Sequence, residues 1–374
     1  MCRRVLVLVL FAALAPAHAA QSSASQTVRI GILINQDGIL VQSEGSIEAG
    51  DVATQAVQTL AAGAYEFRSH SQGIDGGINR FGPVVRLRAA GPLQVGLRRY
   101  RGLIEIRRTP SGKLTAINEL DLEEYLYGVI KMEIDPRFPP EALRAQAVAA
   151  RTYALQNLGR FAAEGYDLRA TTDSQAYGGM TAEDPRTTAA VEATRDLVMT
   201  FSGRPILAVY HTDSGGATES SEFVWGAAYP YLRGVPDPYG EDSPAREWLS
   251  RIDLPTLETR VQRAGRPVQR ISGIVIIATT PSGRVQTVRI TGAHGALDLR
   301  GTDLRTILGV SFLRSTLFTV RMTGDEAPAV EFHGRGSGHG VGMSQWGARG
   351  QALRGRTYPE ILQYYYQGVT LETR

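Results

Sequence analysis

The chain has 374 residues, 43% of them hydrophobic and 21% charged, with a formal charge of +3. These are ordinary globular values, and the length suffices for two domains or one large one with a well-buried core. The single cysteine, Cys2, lies in the N-terminal leader, which excludes disulfides, thiol catalysis and cysteine-ligated metal from the rest. Nearly all the positive charge is arginine, Lys113 and Lys131 being the only lysines, and no basic block of five or more occurs. No electrostatic stripe for nucleic acid is therefore expected.

The leader reads as an export signal, with a basic Met1–Arg4, an apolar Val5–Leu14 and a small-x-small site at Ala17-His-Ala19. Its apolar run is about half the length that a membrane-spanning helix needs. Cys2 precedes that run rather than following it, which speaks against a lipid anchor. Subtracting Arg3 and Arg4 from +3 leaves +1 on the mature chain. The expected location is the periplasm, the cell envelope or the exterior.

Residues 21–26 form a Ser/Gln tail, and 27–35 alternate as a strand does. Strands are also expected at 84–88 and 93–97, after a Gly-rich loop at 73–82. Residues 100–108 and 113–118 read as a hairpin around Pro110-Ser-Gly112. One helix starts near Asp121 and a second at Pro139 or Pro140, where proline suits a first turn. Along the second, Leu143, Ala147, Ala150, Ala154 and Leu158 make a small-sided apolar stripe that a neighbour can approach closely.

Residues 171–185 read as a polar loop, 191–198 as a short helix and 205–210 as a strand. Beyond a loop at 211–239, a second hairpin is expected at 271–280 and 284–291, then a short helix at 301–308 and a strand at 317–322. A Gly-rich loop at 334–342 precedes two helical segments that run to Tyr366. The expected class is α+β, with β-rich lobes and hairpins around a central helical segment. The expected organisation is a signal at 1–20, an N-terminal β-rich region at 21–99 and a domain at 100–374.

Three places invite chemistry. Glu133 stands where a helix gives way to the turn Glu133–Pro140, so rigid elements hold an acid that solvent can still reach, as a general acid requires. Glu119, Asp121, Glu123, Glu124, Asp135 and Glu141 are nearby alternatives, and Glu141 also suits the dipole of its own helix. The second place is Tyr210–Gly216, with His211, Asp213 and Ser214. It has no G-x-S-x-G elbow for a hydrolase and no third metal ligand, so it also reads as a self-bonded loop. The third is Gly334–Ser344. It lacks the βαβ context and following acid of a dinucleotide site, so its alternating glycines suit close backbone approach, with His339 projecting. Trp225, Tyr229, Tyr231, Tyr239 and Trp346 suit a sugar-binding cleft, whereas the run Tyr364–Tyr366 reads better as core.

From about Tyr100 onward the chain resembles the SpoIID/LytB family, which contains lytic transglycosylases and amidase enhancers. The matching motifs are Asn118–Gly128, Ala145–Ala154, His211–Gly216, Tyr229–Arg233 and Gly338–Gly347. The resemblance implies a glycan cleft with Glu133 catalytic and with Arg151, His211, Ser214, Tyr231, Arg233, His339 and Gln345 binding substrate. Arg233 stands where the family usually has lysine. Some sporulation members bind zinc through a Cys-containing segment. The corresponding Thr172–Gly178 has no cysteine here, so no metal and no cofactor is expected.

The implied reaction cuts the MurNAc–GlcNAc bond of peptide-stripped peptidoglycan to a 1,6-anhydro end. The alternative is a non-catalytic amidase enhancer or glycan-binding wall protein. The expected partners are glycan strands and a cell-wall amidase.

Overall fold

The computed structural model describes residues 26–374 except 78, 267 and 325–327. The expected export signal lies outside the described residues. Helices and strands both contribute, in the α+β class that the sequence suggests.

Thr27–Gln36 is a strand whose Val28 and Ile30 are fully buried. It pairs antiparallel with Leu114–Asp121, which forms the expected hairpin with Leu103–Arg108. Leu103–Arg108 pairs on its other side with Val84–Ala89, and that strand pairs with Ile47–Asp51. This seven-stranded sheet therefore runs across the expected boundary at residue 99/100 without a break. A second sheet, centred on Gly38–Ser43 and Gly63–Ser69, packs its Val41 and Phe67 into the same core. The strands between residues 38 and 81 escaped the sequence reading; they are three to seven residues long, and Gly and Asp interrupt their apolar runs.

Helix α1 (Leu122–Glu133) starts on Asp121, whose carboxylate accepts the N–H groups of Glu123 and Glu124 at 2.8 and 3.2 Å. It ends at Glu133 because Ile134 is extended and prolines follow. Helix α2 (Pro140–Gln156) begins on proline and buries residues on nearly every side, including Ala145, Ala147, Ala149, Ala150 and Ala154. Its small side chains let α1, α3 (Pro185–Glu192) and the C-terminal helices all pack against it.

The helix expected at 191–198 is corrected. Asp184 accepts the Arg186 N–H and Pro185 occupies the first turn, so α3 starts earlier and ends at Glu192. Leu197–Phe201 is instead a strand, paired with the C-terminal strand Thr370–Thr373.

After the short helix α4 (Ser221–Trp225), the chain leaves this core and builds another. Two three-stranded sheets, α5 (Leu254–Arg263) and α6 (Gly301–Leu308) enclose Trp248, Leu257, Val288, Leu304 and Phe332. One sheet holds the second expected hairpin, as Gly273–Thr279 and Val285–Gly292. The chain then returns, and Met343–Ser344 pairs in parallel with Tyr210–His211. Residues between these two short strands thus contain an inserted unit with its own core. Helices α7 (Gln345–Leu353) and α8 (Tyr358–Tyr365) close the first core. Tyr365 and Tyr366 are buried in it, as the core reading of that run expects.

Candidate functional site

Glu133 sits at the C-terminal end of α1, where backbone carbonyls lack helical partners. Its own carbonyl is satisfied by the side-chain amide of Gln345 at 2.9 Å, and the same amide reaches Gln146 Oε1 at 3.3 Å. Its carboxylate accepts one bond, from the Ala176 N–H at 2.7 Å. Tyr125, Tyr153 and Tyr210 surround it closely enough to sense its charge. Gln175 orders two of these rings: it accepts from the Tyr125 hydroxyl at 3.3 Å and donates to the Tyr210 hydroxyl at 3.1 Å.

Burial pushes the Glu133 carboxyl above its ordinary pKa, and the Ala176 N–H opposes this only in part. The negative end of the α1 dipole acts in the same direction as burial. Both effects favour the protonated form of Glu133 relative to a free glutamate.

It opens on a cavity of about 710 Å³, in the range of small-ligand sites. Tyr153, Arg160, Asp173, Trp225, Tyr229 and His339 are among the residues that share its wall. Of the five aromatics expected at a sugar cleft, Trp225 and Tyr229 line this cavity, whereas Tyr231, Tyr239 and Trp346 are not among its lining residues.

The other expected site residues divide. His339 lines the cavity between the rings of Trp225 and His211, with centroids 5.3 and 5.5 Å away. Its Nδ1 accepts the Val341 N–H at 3.1 Å, and burial lowers its pKa to about 4, so the ring is neutral at physiological pH. His211 lies behind it with Nδ1 on the Val341 carbonyl at 3.1 Å, and burial likewise keeps it neutral. Asp213 instead accepts the Gly215 N–H at 3.0 Å, so no His211–Asp213 bond of a hydrolase triad is present among the described contacts.

Ser214 is fully buried, its N–H on Ser344 Oγ at 3.3 Å and its oxygen accepting from Gly216 at 3.2 Å. Tyr231 packs between Phe201 and Tyr229, and its hydroxyl accepts the Leu207 N–H at 3.2 Å. Gln345 holds the backbone of Glu133 from behind.

Both arginines lie off the cavity wall. Arg151 is 1% exposed and makes two 2.6 Å bonds to Glu123, itself 3% exposed, plus bonds to the carbonyls of Val191 and Leu197. Arg233 is paired with Glu222 near the surface. Neither contributes to the balance at the Glu133 proton.

The glycine loop behaves as its alternation suggests. Gly338 has φ +110°, and a Cβ there would stand 2.6 Å from the His211 Cβ, so the loop can lie against His211 only without side chains. The segment Thr172–Gly178, with Thr, Asp, Ser and Gln side chains and no thiol or imidazole, does not fit a cysteine-type zinc site. Its Ala176 and Gln175 serve Glu133 and its tyrosines instead.

Sequence reasoning missed Tyr153, Asn157 and Arg160, which line the cavity from the end of α2 and the turn beyond it. A polar and aromatic break in an alanine-rich helix was the available signal. Gln175 and Asp173 gave none.

Residues 110–201 match the family model described as Stage II sporulation protein. The stage II sporulation protein D of Bacillus subtilis is 33% identical over 272 residues, 68% of this chain and 76% of that protein. The chain belongs to the SpoIID family. An uncharacterized protein of Brachyspira hyodysenteriae is 35% identical over 259 residues, covering 69% of this chain and 68% of that one. The amidase enhancer of Bacillus subtilis is 31% identical over 294 residues, 66% of this chain but 40% of that protein. Within this SpoIID member the family match includes α1, α2 and Glu133. A further match, to a domain of unknown function (DUF8618) over 240–342, corresponds closely to the inserted unit.

Proposed function

We propose that this protein is a peptidoglycan lytic transglycosylase with Glu133 as its single acid and base. The observation that supports this most is a carboxyl whose pKa burial raises, with no cation among the groups that shift it, on the wall of a cavity that Trp225 and Tyr229 also line. Glu133 donates its proton to the glycosidic oxygen as the bond to MurNAc C1 breaks. The resulting carboxylate accepts the proton of the MurNAc C6 hydroxyl while O6 bonds to C1. The acid is regenerated and a 1,6-anhydro end is left. The Trp225 and Tyr229 rings offer faces for sugar rings, and the Ala176 N–H steadies the carboxylate between the two transfers.

A glycosidase that uses water normally needs a second carboxylate. Asp173 shares the wall but is ion-paired with Arg169 at 3.3 Å. The single-acid route needs no role for it. The relative named amidase enhancer favours a second reading, in which the same cavity holds glycan strands and assists a separate amidase.

Mass spectrometry of purified glycan separates the two. Wild type is expected to produce anhydromuramoyl ends and Glu133→Gln to lose them by about 10²–10⁴-fold while still binding strands. Equal product from both proteins rejects the catalytic assignment. No product from wild type, with an amidase stimulated in the same assay, favours the enhancer.

A further inference from the structure

The charges on the cavity wall are few, and all but one are accounted for. Burial leaves His339 neutral and raises the Glu133 pKa. Asp173 pairs with Arg169, and Arg169 is spent again on Glu164 at 2.9 Å. Arg160 remains. It lines the same cavity, is exposed, and has no ion pair among the described residues.

Arg160 is nonetheless held in place. Its Nη1 donates to the Tyr153 hydroxyl at 3.3 Å and to the Asp173 carbonyl at 3.2 Å, and its guanidinium lies 5.4 Å from the centre of the Phe161 ring. Those contacts use one edge of the fork and leave further N–H groups for an acceptor. A positioned guanidinium with free N–H groups suits a planar carboxylate, which it can bind through two parallel hydrogen bonds. Arg160 is not among the groups that shift the Glu133 carboxyl.

We propose that Arg160 binds the free lactyl carboxylate of MurNAc, and that this contact selects the strands the cavity accepts. The inference rests on the cavity being a glycan site. A glycan of GlcNAc and MurNAc carries no charge of its own except at the lactyl group. While a stem peptide is attached, that group is an amide and offers the arginine no anion. Hydrolysis of the amide frees one carboxylate per disaccharide. Peptide-stripped strands are the substrate that the family resemblance already implies; in this proposal Arg160 reads their new charge and not only the missing bulk.

The test uses Glu133→Gln protein, so that binding is read without turnover and independently of the transglycosylase reading. Amidase-stripped strands are compared, at one ionic strength, with the same strands after conversion of their lactyl carboxylates to methylamides. The uncapped strands are expected to bind about tenfold more tightly, as fits a charge-assisted hydrogen bond. Adding Arg160→Gln should abolish that preference, and Arg160→Lys should keep part of it. Chitin oligosaccharides, which have no lactyl group, should bind both forms alike. Equal binding of capped and uncapped strands, or a preference that survives Arg160→Gln, overturns the proposal. Failure of both strands to bind overturns it together with the glycan reading, whereas absent cleavage with intact preference overturns only the catalytic reading.

Discussion

Glu133 is placed where the proposed acid role opposes stability. Burial raises its folded pKa above the unfolded value, so the folded state favours the protonated form. Below the unfolded pKa both states are protonated and nothing is lost. As pH rises through the folded pKa, ionisation penalises the folded state. Glu133→Gln should therefore raise the melting temperature at pH 7 and leave it nearly unchanged at pH 4. An equal shift at both pH values would mean that proton linkage is not the cause. The same direction applies to activity: cleavage should fall on the alkaline side as Glu133 loses its proton, and the rate profile should show that limb above the ordinary glutamate range. His339 titrates near 4 and is neutral throughout that window, so it adds no limb there.

At the scale of elements, α1 and α2 are joined by the buried pair Glu123–Arg151. A pair with both partners this deep can be replaced by apolar groups at little cost, but removing one partner strands a charge. Arg151→Ala should destabilise the fold by about 3–5 kcal/mol in denaturant melts. Glu123→Leu with Arg151→Met should recover much of that loss. If Arg151→Ala keeps wild-type stability and loses glycan affinity, Arg151 acts on substrate rather than between helices. The motif around Arg151 is thus explained by packing: its guanidinium ties α1, α2, the end of α3 and the start of strand Leu197–Phe201 together, and through α1 it fixes where Glu133 stands.

At the scale of the whole molecule, two cores meet across a polar seam. Arg284, from the hairpin of the inserted unit, donates to the carbonyls of Ser214 and Ala217 at 2.6 and 2.8 Å. Glu219 accepts from Thr280 and Ser282 at 2.5 and 2.8 Å. Burial lowers the Arg284 pKa to about 10, against the pull of Glu219, Asp213 and Asp237. Arg284→Met would leave the buried Ser214 carbonyl and the part-buried Ala217 carbonyl without this donor, a loss of about 1–3 kcal/mol for the buried one. We expect it to weaken the coupling between the cores, so that calorimetry shows the inserted unit and the main core melting separately. A single unshifted transition would show that the seam does not couple them. The loop 211–219 lies on this seam and positions His211 behind His339, so the same variant should also weaken glycan binding.

Much of this was written in local sequence. The alternation of 27–35, the two Pro-Ser-Gly hairpins and the proline start of α2 each follow from periodicity or from a backbone that proline and glycine restrict. The acid at the helix break was legible for the same reason, since the prolines after Ile134 end α1 wherever the rest of the chain lies. Short-range rules failed where partners are distant. Strands of three or four residues carry too little pattern to be seen, and 197–201 is a strand because Thr370–Thr373 pairs with it. Arg151 and Arg160 look alike in sequence, yet one meets a buried carboxylate and the other an open cavity. That choice depends on which elements pack beside each side chain. The raised pKa of Glu133 has the same origin: the sequence supplies a carboxyl, and only the assembled core removes water that favours its charged form.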